Sequence, residues 1–343
     1  GAVLFFLIAG AALGMIAGCI GVGTAFGPVF GGVAGQSWGW PALFWITFIL
    51  SLFIAAGSYR ALSGIDTAAA AGSKEAFDWA GGALLVLAVG LFLLGITQAE
   101  SGGFASFAVI GCLAGSIVSA AGFVWRIGTA RHPFVPPALF ANKHYVCAVI
   151  VAFLSAFAYF AILVYVPLLN LEARGLTPGE AGLTLLPGGA AVALLSPWVG
   201  RISDRVGTKP LVMAGLIVMT GSALFLSTFA AGAAPVLSAL GAMGAGIAFA
   251  LVNSPVTNSA AGVLRKDTVG AGMGFFQGAL YLGAGTGASL VGSFLHARSG
   301  AGVPLNPAYH LDAVNYSDAF LAVAVSACIA LIAGFGLKRD PSK

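Results

Sequence analysis

The sequence predicts an all-α integral membrane protein with about ten transmembrane helices, and three observations carry that expectation. Charged side chains make up 8% of the 343 residues, against roughly 25% in an ordinary soluble domain. They gather in short clusters, and Arg60 is the first of them along the chain. Between the clusters run apolar stretches of about twenty residues, the length a helix needs to cross a hydrocarbon layer of about 30 Å.

The elements follow by reading apolar runs between clusters. In order they are approximately Ala12–Val33, Pro41–Tyr59, Phe77–Ile96, Ala105–Trp125, Tyr145–Leu169, Ala181–Val199, Leu211–Ala230, Pro235–Asn253, Ala271–Phe294 and Phe320–Leu337. The run before Ala34 would make one helix of about 51 Å at 1.5 Å per residue, too long for an ordinary span. Residues 1–11 therefore read as the tail of a preceding helix. The chain opens on Gly rather than Met, so it is expected to be incomplete at its N-terminus.

Composition excludes several classes. With 59% hydrophobic residues, no inter-segment stretch can hold a sizeable soluble domain. The fifty glycines would weaken soluble helices, but small residues let helices approach closely in a bilayer, where association relies on packing. The net charge of +4 is dispersed among loops, so no nucleic-acid partner is expected. Cys19, Cys112, Cys147 and Cys328 sit inside apolar runs at unrelated spacings and read as small buried hydrophobes. His132, His144, His296 and His310 lie in or beside loops without ligand spacing, so no metal site and no cofactor are expected. No cluster of His, Asp, Glu or Ser lies inside the spans. The chain therefore has no catalytic residues and is not read as an enzyme.

Orientation follows from the excess of Lys and Arg in cytoplasmic loops. If the first span starts inside, thirteen of the fifteen basic residues fall on the inner side, and only Arg174 and Arg298 fall outside. A missed span would invert every later loop and destroy that asymmetry. The same count places the C-terminus in the cytoplasm.

The most specific motif follows the sixth span: Gly200-Arg201-Ile202-Ser203-Asp204-Arg205-Val206-Gly207-Thr208-Lys209. Its two glycines permit a tight turn between antiparallel helices, and Asp204 could stabilise a nearby helix N-terminus. The stretch resembles the cytoplasmic loop motif of the major facilitator superfamily, Gly-x-x-x-Asp-Arg-x-Gly-Arg-Lys/Arg. Gly200, Asp204, Arg205, Gly207 and Lys209 match, while Thr208 replaces a basic residue. Residues Gly23 to Gly32 (Gly-Thr-Ala-Phe-Gly-Pro-Val-Phe-Gly-Gly) resemble the antiporter motif of the same superfamily, Gly-x-x-x-Gly-Pro-x-x-Gly-Gly, found on its fifth helix. Gly23, Gly27 and Gly31 share one helix face, where a neighbour can sit close. Pro28 removes a backbone donor and bends the helix, and Gly32 completes the match.

The resemblance continues along most of the chain. Trp40 to Ile46 is similar to the family's Trp-Arg-x-x-Phe-x-Ile, with Pro41 where Arg is usual. Phe77-Asp78-Trp79-Ala80-Gly81 resembles the entry to an extra central helix pair. Tyr165-Val166-Pro167-Leu168, Gly175-Leu176-Thr177-Pro178, Ala181-Gly182 and Leu186-Pro187 repeat in order what precedes the loop motif in the fourteen-helix drug:proton antiporter branch. Such transporters are built as six helices, two inserted helices and six more. The resemblance therefore implies that the first four helices are absent, leaving an incomplete N-terminal bundle at 1–60, two central linker helices with their loops at 61–143, and a C-terminal six-helix bundle at 144–343. The family usually carries a basic residue entering the fifth helix, whereas here Gly1 to Ala11 is wholly apolar. Either a truncated fourth helix or an unnatural junction accounts for it.

The resemblance implies export of drug-like molecules in exchange for protons by alternating access, in a bacterial cytoplasmic membrane. The partners are then lipid, a small apolar or amphipathic substrate and protons, the proton gradient is the energy source, and the transporter is a monomer. Export of a metabolite, siderophore or amino acid, or a non-functional truncated fragment, are the alternatives. Proton coupling needs a titratable group in the membrane interior. All eleven acids read as lying in loops or at span ends, so coupling is expected to reside on the missing helices. Inside the spans, Tyr159, Tyr165, Asn253, Asn258 and Gln277 are the notable polar residues. They serve either inter-helix hydrogen bonding or the lining of a cavity for bulky, mostly apolar substrates.

Overall fold

The structure, a computed structural model, describes residues 23, 26–27, 30–62, 78–130, 133–265, 268–300 and 302–337. Most of the span expected at Ala12–Val33, together with Pro28 and Phe77, lies outside the described residues. Among those described, every regular element is helical, and nine segments are long and apolar enough to cross a membrane. They coincide with the nine later runs expected from sequence, so the chain is a multi-pass, all-α membrane protein.

After helical backbone at 30–38, Gly39 turns the chain at φ +78° into α1 (Trp40–Leu62). The next helix, α2 (Trp79–Gly102), starts on Asp78, whose carboxylate accepts the Gly81 N–H. Gly103, at φ +71°, ends it before α3 (Phe107–Thr129). A one-turn helix, α4 (Ala138–Ala141), leads to α5 (Lys143–Arg174). The Asn142 side chain caps α5 by accepting the His144 and Tyr145 N–H groups, and Gly175 closes it in the left-handed conformation. Such caps satisfy the orphan groups that every helix end carries.

The span expected at Ala181–Val199 is built from two pieces. The first is α6 (Pro178–Leu183), opened by a Thr177–Glu180 capping box. The second is α7 (Leu186–Val206), with Pro187 in its first turn, where a missing N–H costs nothing. Then come α8 (Thr208–Phe225), which widens into a π-helical turn at Leu226–Ala230, and α9 (Pro235–Gly262). The last two are α10 (Val269–Ala297) and α11 (Val314–Gly334).

Several ends differ from expectation: α2, α5, α7 and α9 run on past Ile96, Leu169, Val199 and Asn253, and α11 starts before Phe320. Helix α9 runs well beyond Asn253 to Gly262, with Pro255 accommodated inside it and the Thr257 hydroxyl donating to the Asn253 carbonyl. Helix α11 begins at Val314 rather than Phe320, since its polar first turns are satisfied by the preceding loop.

Helix α5 is the hub of the bundle: it packs on α9, α10 and α11, while α9 also packs on α7 and α8. Glycine sets the closest crossings. A Cβ at Gly283 or Gly287 of α10 would collide with the Phe153 or Phe157 carbonyl of α5, and one at Gly246 of α9 would collide with the Gly188 carbonyl of α7. Backbone meets backbone at these points, the contact that small residues permit in lipid. Helices α2 and α3 form an antiparallel hairpin, and α2 lies against α10. By contrast, no residue in the apolar window of α1 is buried.

Candidate functional site

The loop motif is mostly helix. Gly200 to Val206 form the final turns of α7, Gly207 alone makes the link, and Thr208 opens α8. Gly207 sits at φ +91°, a conformation that an L side chain adopts only under strain, and its N–H closes on the Ser203 carbonyl. Sequence reasoning gave both glycines to the turn, but Gly200 has a helical backbone inside α7. It faces α9 at ordinary contact distance: an added Cβ would stand 3.4 Å from Ser254 Oγ. Arg201 and Arg205 are exposed, and the backbone of Asp204 is helical. The Asp204 side chain lies outside what the structure describes.

Lys209 does more than carry charge. Its ammonium donates to the carbonyl of Phe335, the C-cap of α11, where a cation meets the negative end of the helix dipole. His144, at the start of α5, pairs through Nδ1 with the next carbonyl, Gly336, at 3.2 Å. The α7–α8 link, the start of α5 and the end of α11 are thus tied at one pole of the bundle.

At the antiporter motif, a Cβ on Gly23, Gly27 or Gly31 would meet open space among the described residues. Gly32 is the member pressed against a neighbour: a Cβ there would lie 2.5 Å from the Pro178 carbonyl at the start of α6. Pro28 is outside the described residues.

The five candidate lining residues are not brought to one place. Tyr159 is 2% exposed, belongs to the bundle interior, and stacks on Phe249 with ring centroids 4.2 Å apart. Its hydroxyl has no hydrogen-bond partner among the described atoms. Tyr165 reaches from α5 to the Ala288 carbonyl of α10. Asn253 is half-buried and Asn258 exposed. Gln277 is exposed on a face of α10 shared with Gly270, Gly274, Gly278 and Tyr281, where a Cβ on each of the three glycines would meet nothing within 4 Å.

The sequence reading missed the clasp at the opposite pole. Asp318 was read as a span-end acid, yet it lies inside α11 with its side chain wholly buried, 2.6 Å from Arg298 Nη2. Its other oxygen accepts the Leu305 N–H at 2.7 Å. Asn306 donates to Ser227 and Thr228 at the π-helical turn, the Tyr309 hydroxyl donates to the Ala231 carbonyl, and Tyr316 donates to Glu172. A buried charge needs both a counter-ion and hydrogen bonds, and the folded-in loop supplies them. The only available signal was a basic and an acidic residue flanking the same loop. A second pair, Asp78 with Arg126 at 3.1 Å, joins the Asp78 end of α2 to the end of α3. The Gly81 N–H, then the Arg126 guanidinium, hold the Asp78 carboxyl below its ordinary pKa against the opposing effect of burial.

Comparison with known proteins agrees with this architecture. The family model described as Major Facilitator Superfamily matches residues 9–288 and 148–343. Multidrug resistance protein Stp of Mycobacterium tuberculosis is 28% identical over 287 residues, covering 83% of this chain and 52% of that protein. The tetracenomycin C resistance and export protein of Streptomyces glaucescens is 27% identical over 289 residues, or 84% of this chain and 53% of that protein. The lincomycin resistance protein LmrB of Listeria monocytogenes is 26% identical over 223 residues, or 65% and 46%. The chain spans about half the length of these relatives. With its helical spans, its glycine-turned loop motif and a family match along most of its length, this chain belongs to the Major Facilitator Superfamily.

Proposed function

We propose that this chain is part of a secondary active transporter that exports drug-like, mostly apolar molecules across a bacterial cytoplasmic membrane. The observation that carries this reading is the naming of its relatives for multidrug resistance and for antibiotic resistance and export, over more than four-fifths of this chain in two of them. In this reading the bundles rock around a central site by alternating access, with protons moving inward as substrate moves outward. The transporter works as a monomer, and its C-terminus is cytoplasmic, following the split of basic residues.

The motif residues take distinct parts. Gly207 permits the abrupt α7–α8 link, while Asp204 and Arg205 change partners as the inner face opens and closes. Lys209 anchors that link to α11. The antiporter-motif residues Gly23, Gly27, Pro28, Gly31 and Gly32 are assigned to the meeting of the bundles, a reading supported by the close approach of Gly32 to the Pro178 carbonyl. The open face of α10 around Gln277 borders the substrate path and offers one amide and the Tyr281 hydroxyl on an otherwise apolar surface, which suits mostly apolar substrates.

An efflux and growth-inhibition panel in a pump-deficient bacterial host, using the full-length transporter, tests the proposal. The expected result is resistance to several chemically unrelated apolar compounds, together with ethidium efflux, both lost in Asp204→Asn. Resistance confined to one polar metabolite, or none at all with normal expression, would refute it.

A further inference from the structure

The hairpin α2–α3 is covalently placed between two bundles, but its contacts are one-sided. Along α10, Leu93 of α2 packs over Gly285, where an added Cβ would stand 3.2 Å from Leu93 Cδ2. One turn on, Thr97 Oγ1 and Ser289 Oγ share a hydrogen bond of 3.2 Å. A turn further, Ser293 Oγ donates to the Ile96 carbonyl. Small and hydroxyl-bearing residues in successive turns of one face are what a specific helix contact in lipid requires, since apolar burial alone cannot select a partner there.

The hairpin is also internally tied. Ser116 of α3 donates to the Ala88 carbonyl of α2 at 2.7 Å, and Asp78 and Arg126 join the hairpin at its open end. From α3 the contact continues through the connector rather than ending. Phe123 and Ile127 of α3, Val135 and Leu139 of the connector, Val151 of α5 and Leu280 of α10 belong to one buried cluster. Phe140 meets Phe275 edge-on, with centroids 5.2 Å apart. Beyond the connector, Tyr145 of α5 donates to the Gly272 carbonyl of α10 at 2.6 Å. Between the hairpin and α1, by contrast, no comparable packing exists among the described residues.

We propose that the hairpin α2–α3, the connector with α4 and the six-helix bundle move as a single body during transport. The boundary between the moving bodies then lies on the α1 side of α2, not at the start of α5. This rests on the alternating-access reading given above, to which it adds which body the inserted helices join. The inserted pair is thereby a permanent wall along α10 and not an independent gate. Packed interfaces are bistable rather than continuously deformable, so a contact that runs through a shared core and three turns of α10 travels with it.

The test uses the full-length transporter with its native cysteines replaced, reconstituted in lipid, and nitroxide pairs read by pulsed spin resonance. Labels at Leu94 on α2 and Ile329 on α11, both exposed, report the hairpin against the bundle. Trp198 with Ile329 is the reference within the bundle, and Phe48 of α1 with Trp198 spans the proposed boundary. The expected result is one narrow Leu94–Ile329 distance, unchanged by ethidium or by pH, while the Phe48–Trp198 distance shifts. A Leu94–Ile329 distance that shifts or splits while the reference stays fixed overturns the proposal. A Phe48–Trp198 distance that never shifts sinks alternating access alone, and the hairpin still stands or falls on whether its own distribution is single. As a second measurement, oxidising Thr97→Cys/Ser289→Cys should form a disulfide that leaves ethidium efflux unchanged. Loss of efflux that a reductant restores, or failure of the pair to link, would also overturn it.

Discussion

Gly283 and Gly278 lie on the same helix and answer different demands. A methyl group at Gly283 would run into the Phe153 carbonyl, which is backbone and cannot rotate away, whereas one at Gly278 would meet open space. Gly283→Ala should therefore lower stability by about 1–3 kcal/mol, the usual cost of overpacking. Gly278→Ala should stay within about 0.5 kcal/mol of the parent, as at other open positions. Thermal melting in detergent, followed by tryptophan fluorescence, distinguishes the two. At the opposite pole, Asp318→Asn leaves the partly buried Arg298 without its counter-charge, and the loss should be on the order of 3 kcal/mol. Replacing both by Met and Leu should recover part of that loss, because a well-packed apolar pair can stand in for a buried ion pair. A double variant as unstable as Asp318→Asn would show that the loop hydrogen bonds of Asp318, and not its charge pairing, hold the clasp. None of these contrasts could be read from residue type. A glycine in an apolar run looks the same whether a neighbour touches it or not, and the burial of Asp318 depends on a loop that folds back from outside the apolar pattern.

Elements were legible wherever hydrophobicity alone defines them. Nine expected spans coincide with nine helical membrane-crossing segments among the described residues, because a bilayer leaves a buried backbone few alternatives to a helix. Their ends were less legible, since ends are set by hydrogen bonds that apolarity does not record. Helix α9 continues through Pro255 to Gly262, beyond the apolar run, and the break between α6 and α7 is visible only as Pro187 in the first turn of a new helix. The hairpin offers a test at this scale. The Asp78 carboxyl is held below its ordinary pKa by the Gly81 N–H and Arg126. Its folded pKa is therefore depressed, and the stability it contributes is fully present above the ordinary carboxylate range, about 4, and is lost as pH falls through the folded value. Melting midpoints should decline on acidification below that range, and Asp78→Asn should flatten the Asp78 contribution while lowering the midpoint at neutral pH. An unchanged acid profile in the variant would remove Asp78 from the account.

At the scale of the whole molecule, the ten-run pattern was enough to indicate a polytopic helical membrane protein, because lipid thickness sets the length of each run, while the resemblance of the loop motif pointed to the superfamily. The candidate site was far less legible. Five polar residues suggested as a lining are spread between the interior of the bundle and its open faces, since sequence spacing fixes a face only relative to its own helix. The buried acids among the described residues, Asp78 and Asp318, are paired with Arg126 at the end of the hairpin and with Arg298 at one end of the bundle. Reconstituted alone, this chain should therefore show no substrate-dependent proton flux across liposomes, and a measured flux would place the coupling group within it. The clasp has a practical consequence as well. Because its loop threads Asn306 and Tyr309 back into the bundle, inserting an epitope there would unpick hydrogen bonds on α8 and α11 together. Reporter peptides and surface antibodies would be better directed elsewhere, and trypsin should find Arg298 a poor place to cut while the protein remains folded.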